Sequence, residues 1–250
     1  MNPYIGITGF MNKDEVLAVL NSVPQNSKYR VMVGVLASSH TINGISNKWP
    51  HRYPKPEHLN NIFQRNPKAL NLIHFNTKEP QHLYEQMMHV RRLAGPCCHG
   101  FQLNVAWPNP AILRRVALKG QRTVIVLQVG GHAFEMINHS PQELAQKVAS
   151  EYAGLIDYVL LDPSGGYGKQ LDTDILKGYL RALTAKQLSI GLGVAGGLSP
   201  ATLHLIAPLV DEFPDLSIDA EGRLRDEHDH MEINIVISYL LNAIALFEGR

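Results

Sequence analysis

The run Thr123-Val-Ile-Val-Leu-Gln128, the stretch Pro141–Tyr152 and the run Ile156-Asp-Tyr-Val-Leu-Leu-Asp162 together make one complete strand, helix and strand. The two outer runs are short, β-branched or leucine-rich, and polar at their ends, as strands of a buried parallel sheet are. Between them apolar residues recur at helical spacing. That stretch opens with Ser140-Pro141 and Glu143, where proline at the first helical position costs no hydrogen bond.

The same unit repeats outward along the chain. Further strand-like runs lie at Tyr4–Thr8, Arg30–Ala37, Leu70–Asn76, Gly100–Asn104, Leu188–Ala195 and Leu216–Ala220, which with the first two makes eight. Amphipathic stretches fall between them at Asp14–Leu20, Pro80–Leu93, Pro108–Val116, Thr173–Leu183 and Ser199–Leu209, and a last one follows at Ile233–Phe247. Such alternation implies a parallel sheet with helices outside it. Eight units in 250 residues, with no linker or break in composition, favour closure into a single (β/α)8 barrel spanning 1–250 over an open doubly wound sheet. The one irregularity is the long loop 38–56 after the second strand, which carries three prolines, Trp49 and Arg52. A loop of this length reads as a lid or binding loop, or as a solvated insertion.

Composition narrows the functional classes. Lys and Arg number 23 against 22 Asp and Glu, so no long-range field favours nucleic acid or an anionic membrane, and neither is expected as a partner. No apolar run approaches the roughly 20 residues that span a bilayer. The start MNPYIGITGF has neither the basic nor the long apolar segment of a secretory signal, and the only cysteines, Cys97 and Cys98, are adjacent and poorly placed for a disulfide. A cytoplasmic protein is the expectation, with no cofactor and no metal. The final helix is apolar on several faces, which suits core packing or a homo-oligomer contact.

In a barrel the reactive groups sit at the carboxyl ends of the strands. Those ends read Thr8, Ser38, Asn76, Asn104, Gln128, Asp162 and Asp219, with His74 and Gln102 one layer lower. Asp162 ends a buried apolar strand and so needs a partner or a chemical role. Glycines mark the same rim at Gly165-Gly166, Gly196-Gly197 and Gly222. The loops after the seventh and eighth strands are the frequent phosphate site of barrels.

Leu160-Leu161-Asp162-Pro-Ser-Gly165-Gly166-Tyr-Gly168, Val194-Ala195-Gly196-Gly197-Leu198 and Ser217-Ile218-Asp219-Ala220-Glu221-Gly222 resemble the last three strand ends of phosphoribosylanthranilate isomerase. Weaker echoes are Ile5-Gly6-Ile7-Thr8, Arg52-Tyr53 and Gln102-Leu103, and the match is specific only over roughly residues 156–226. The resemblance implies an acid/base rearrangement of a phosphorylated sugar. It makes Asp162 the acid, puts Arg52 on a substrate carboxylate, and puts the amides of Gly196, Gly197 and Gly222 on the phosphate. Two departures stand out. Ile5 occupies the place of the family's general-base cysteine, so His40, His74 or Asp219 has to supply a base if the site is catalytic. Glu221 replaces a serine and brings negative charge to the phosphate loop unless it turns outward or pairs with Arg223 or Arg225.

Three readings follow. The first is an enzyme acting on a phosphorylated sugar or nucleotide-like molecule, with Asp162, Asp219 and His74 as catalytic candidates and Arg52, Asn76, Gln102, Asn104 and Gln128 as substrate-binding candidates. The second is a non-catalytic phosphosugar-binding protein. The third is a metal-dependent epimerase or hydrolase, prompted by Asp226-Glu227-His228-Asp229-His230, although that run also suits a solvated entry to the last helix.

Overall fold

Eight parallel strands hydrogen-bond in sequence order, and the last pairs with the first to close the barrel. The structure, a computed structural model, describes residues 1–118, 122–163 and 171–249. The strands are β1 Tyr4–Thr8, β2 Arg30–Ser38, β3 Ala69–Asn76, β4 Gly100–Leu103, β5 Val124–Val129, β6 Tyr158–Leu161, β7 Gly191–Ala195 and β8 Ser217–Ala220. Each of the eight falls within two or three residues of its expected run. Register runs Thr8↔Gly34 from β1 to β2, Leu160↔Gly193 from β6 to β7 and Gly6↔Asp219 from β1 to β8.

The helices are α1 Lys13–Ser22, α2 Leu59–Ile62, α3 Leu83–Ala94, α4 Pro110–Ala117, α5 Gly131–Glu135, α6 Pro141–Lys147, α7 Thr173–Thr184, α8 Ala207–Glu212 and α9 Ile233–Glu248. Side-chain caps start several of them: Asn12 accepts from the amides of Asp14 and Glu15, Ser140 from Glu143, and Asp172 from Asp174 and Ile175. Two stretches differ from their expected course. Ser199–Leu209 does not begin as a helix at Pro200: Thr202 Oγ1 accepts from the Ser199 amide and donates to the Gly197 carbonyl, and a 3-10 turn, Leu203–Ile206, precedes the short α8. Between β2 and β3 the only α-helical segment is α2, preceded by 3-10 turns at Thr41–Asn43 and Pro56–His58.

Because side chains alternate across a strand, the barrel has two apolar cores. Odd-numbered residues of β1 and β2, such as Ile5, Ile7, Val31 and Val33, pack outward beneath the helices. Inside, Tyr4, Met32, Leu70, Leu72, Val126 and Leu160 fill the lower barrel. Each such side chain contributes roughly 1.5–3 kcal/mol by leaving water. Ile5, which the sequence aligns with the family's cysteine, is therefore turned to the helices. The interior positions of β1 belong to Tyr4, Gly6 and Thr8. Among the described residues no helix is long and apolar enough to cross a membrane.

Candidate active site

Above the apolar floor the barrel interior turns polar. Thr8 Oγ1 donates to both oxygens of Asp219, at 3.0 and 3.1 Å. This contact needs glycine beside it: a methyl group on Gly6 would lie 2.7 Å from Asp219 Oδ1 and 2.8 Å from the Ile218 carbonyl. Gln102, from β4, donates through Nε2 to Asp219 Oδ2 at 2.9 Å and to Gln128 Oε1 at 3.3 Å. Gln128, from β5, donates in turn to Asp162 Oδ2 at 3.0 Å. Two carboxylates, one at the end of β6 and one on β8, are thus joined through two carboxamides from β4 and β5, and such chains polarise one another in a low-dielectric interior. His74 stands beside the relay, its Nδ1 3.5 Å from Gln102 Nε2. Among the described residues, His74 Nε2 and Gln102 Oε1 have no hydrogen-bond partner.

Burial sets the protonation of this layer. It pushes the Asp219 carboxyl up to about 7; the hydrogen bonds from Gln102 and Thr8 oppose that rise, and the nearby Glu221 and Asp162 add to it. Burial also lowers the His74 imidazole below its ordinary value, against the pull of Glu221 and Asp162. A neutral imidazole and a carboxyl that titrates near neutrality result.

A cleft opens over this layer, lined by Asp162, Asp219, His74, Gln128 and Asn104 and by the turns that follow β7 and β8. Gly196 and Gly197 adopt φ of 123° and 62°, the left-handed region that glycine enters without strain, and both line the cleft together with Gly222. Asn76 is not in this cleft; it borders two neighbouring cavities over β2, β3 and β5. The turn expected after Asp162 lies outside the described residues from Ser164 through Gln170.

Arg52 has a different role from the expected one. Its Nε donates to both oxygens of Asp229, at 2.8 and 2.9 Å, and its Nη1 to Glu221 Oε1 at 2.9 Å. Burial works against the guanidinium's charge, but the hydrogen bonds with Asp229 and Glu221 raise its pKa above the usual value. A substrate carboxylate would have to displace two carboxylates already in place. Glu221 accordingly pairs with Arg52, not with Arg223 or Arg225. Arg225 instead donates to the carbonyls of His51, Asp229 and Gly9. The long loop is fastened to the β8 side of the mouth through Arg52 and His51. Trp49 stacks on the Arg52 guanidinium at 4.6 Å.

The acidic and histidine-rich run before α9 is a tight turn. Asp226 accepts from the amides of His228 and His230, and Asp229 is held by Arg52. Among the described residues no three His, Cys, Asp or Glu converge as metal ligands do. Cys98 is buried at the amino end of β4, away from the mouth, and burial pushes its thiol up to about 11.

No protein-family model matches the chain, and no curated protein sequence matches it. Solved structures do. The barrel is similar in fold to phosphoribosylanthranilate isomerase. The enzyme from Thermus thermophilus superposes with a TM-score of 0.66 at 14% identity, covering 98% of each chain. That from Thermotoga maritima gives 0.66 at 18% identity over 100% of both chains. A phosphoribosylanthranilate isomerase in complex with reduced 1-(o-carboxyphenylamino)-1-deoxyribulose 5-phosphate gives 0.65 at 17%, again over 100% of both. At these identities the likeness is one of fold, and the chemistry has to be argued from the side chains.

The strand ends read from the sequence converge for Thr8, Gln128, Asp162 and Asp219, with His74 and Gln102 beneath. The sequence reading gave Thr8 no role, although it shares the parity of Tyr4 and Gly6, and that parity alone assigns it to the interior. It also missed the Arg52, Glu221 and Asp229 cluster, whose members lie 169 or more residues apart on one side and have no local pattern.

Proposed function

We propose that the barrel is an enzyme acting on a phosphorylated sugar or nucleotide-like small molecule by acid/base chemistry, with Asp219 and Asp162 as its proton-transferring groups. The observation that carries this reading is the pair of buried carboxylates lining one cleft, one of them titrating near 7. A group whose pKa lies near the working pH can give a proton in one step and take it back in the next, and positioned groups of this kind contribute about 10²–10⁴ in rate. The carboxamides of Gln102 and Gln128 hold the two carboxylates in place. His74, kept neutral by burial, lines the same cleft. The phosphorylated class is supported by the glycine turns after β7 and β8 and by the fold shared with an enzyme bound to a ribulose 5-phosphate derivative. The reaction is a proton transfer and not the isomerisation itself, because Ile5 has no titratable group and faces away from the cleft.

The test is solvent deuterium exchange. The protein in heavy water is incubated with a panel of aldose and ketose phosphates and phosphoribosyl amines, and incorporation next to the carbonyl is followed by NMR. Exchange by the wild type that falls by about 10² or more in both Asp219→Asn and Asp162→Asn supports the reading. Exchange that survives both substitutions contradicts it. The hydrogen bonds that tie Asp219 to Thr8 and Gln102 favour a second reading, a phosphosugar-binding protein without turnover, which predicts saturable binding of panel members and no exchange with any of them.

A further inference from the structure

The rim of the cleft carries a cation whose charge is already neutralised. Glu221, in the cleft lining, and Asp229, from the turn before α9, hold Arg52 from two sides, and Asp229 also meets its Nη2 at 2.6 Å. Arg52 stands at the edge of the cleft itself, because a methyl group on Gly222 would lie 4.0 Å from its Nη1. Local structure presents both partners to it. Asp229 adopts φ of 66°, a left-handed conformation that aspartate enters at modest cost, in a turn closed by Asp226 on the amides of His228 and His230. The side chain of Arg52 is only 17% exposed, and Trp49 stacks on its guanidinium.

Among the described residues of the cleft, no other cation is placed to receive a second anion. Arg225 is buried and gives its terminal N–H groups to the carbonyls of His51, Asp229 and Gly9. Burial keeps His74 neutral. The remaining cation of the lining is Arg223, which adjoins Gly222 in the chain and so belongs to the end that would take a phosphate. Glu221 stands close enough to Asp219 and His74 to favour their protonated forms. A ligand carboxylate entering this cleft therefore meets carboxyl groups and no uncompensated guanidinium.

We propose that Glu221 and Asp229 are specificity-determining residues: by saturating Arg52 they close the cleft to ligands that carry a carboxylate besides the phosphate, and restrict it to phosphate monoesters whose remaining carbons bear only uncharged groups. This rests on the reading of the mouth as a phosphosugar site and adds the class of phosphosugar. Replacing both carboxylates by the isosteric amides leaves an acceptor for the Arg52 N–H groups but uncovers its charge.

The experiment compares, by calorimetry on the full chain, ribose 5-phosphate with 5-phosphoribonate, which has the same carbons and a carboxylate in place of the aldehyde. The wild type should bind ribose 5-phosphate about tenfold or more tightly than 5-phosphoribonate. The double variant Glu221→Gln with Asp229→Asn should gain about tenfold or more for 5-phosphoribonate and change little for ribose 5-phosphate. Adding Arg52→Met should abolish that gain, which separates Arg52 from the mere loss of two negative charges. Circular dichroism checks each fold; Glu221→Gln alone, in which Asp229 still holds the loop, should show the same gain in smaller degree. Comparable wild-type affinity for the two ligands overturns the proposal, as does a double variant without the gain, a gain shared equally by both ligands, or one that survives Arg52→Met. If the wild type binds neither ligand, the phosphosugar reading fails. Arg52-dependent binding of 5-phosphoribonate by the double variant would then still support the specificity role, and no binding by any form overturns both.

Discussion

The lower and upper halves of the barrel interior are built from the same strands at alternate positions, yet they follow opposite rules. Below, Tyr4, Met32, Leu70, Leu72, Val126 and Leu160 make a dry core in which size and shape decide everything. Above, Thr8, Gln102, Gln128, Asp162 and Asp219 keep two carboxyl groups buried by joining them through amides. The floor stabilises the fold. The layer above it costs stability in order to hold a group that can exchange a proton at neutral pH, and the difference between the two is open to direct attack.

The largest effect is expected in the floor. Leu160→Ala should lower the unfolding free energy by about 2–5 kcal/mol, since Gly193 opposite it has no side chain to collapse into the void. Denaturant titration at several pH values should show the same loss at each. A loss that varies with pH would mean that floor and polar layer are not independent.

The next prediction sharpens the contrast. Asp219 has a folded pKa of about 7 and an unfolded value near 3.8. Below pH 4 both states hold the proton, and between pH 4 and 7 only the folded state does. Its contribution is therefore fully present below about pH 4, is lost at up to about 1.4 kcal/mol per pH unit as pH rises, and is gone above pH 7. His74 acts oppositely in part of the same window, because its lowered pKa makes the folded state lose stability as pH falls through the unfolded value of 6.5. The wild-type curve alone mixes the two. The difference between Asp219→Asn and wild type isolates Asp219, and the variant should gain a few kcal/mol relative to wild type from pH 4 to pH 7.

A smaller effect tests the close approach beneath that carboxyl. Gly6→Ala places a methyl group against Asp219 Oδ1 and the Ile218 carbonyl and should cost about 1–3 kcal/mol. Measured in the Asp219→Asn background the cost should persist, because the backbone carbonyl stays.

The smallest effect lies at the rim, where the side chains of Arg52, Glu221 and Asp229 are 17%, 27% and 26% exposed. Solvent screening limits Arg52→Met to about 1–2 kcal/mol, less at high salt. Limited proteolysis within residues 44–51 should speed up in this variant, since Arg52 fastens the loop to the β8 side. An unchanged cleavage rate would mean that the loop is held by Arg225 through the His51 carbonyl instead.

Most of the barrel was legible because its signals are local. Eight β-branched runs, their spacing and the Ser140-Pro141 helix start depend on neighbours a few residues away. Parity also carried the mouth, since counting back by two from Asp162 or Gln128 reaches Leu160 or Val126, both interior. The same rule turns Ile5 outward, which the alignment of Ile5-Gly6-Ile7-Thr8 with a motif concealed. What was not legible is long-range. Nothing near Glu221 tells of Arg52, and nothing near Pro200 tells that Thr202 would bond the Ser199 amide and the Gly197 carbonyl and delay the helix.

The central claim is that the polar layer holds a carboxyl that titrates near neutrality at the barrel mouth. It is tested most directly by following the side-chain carboxyl carbon of Asp219 by ¹³C NMR from pH 4 to 9, assigned through the Asp219→Asn variant. The account predicts a single titration with a midpoint near 7. A midpoint near 4 would mean that Thr8 and Gln102 stabilise the ionised form completely, and would contradict it.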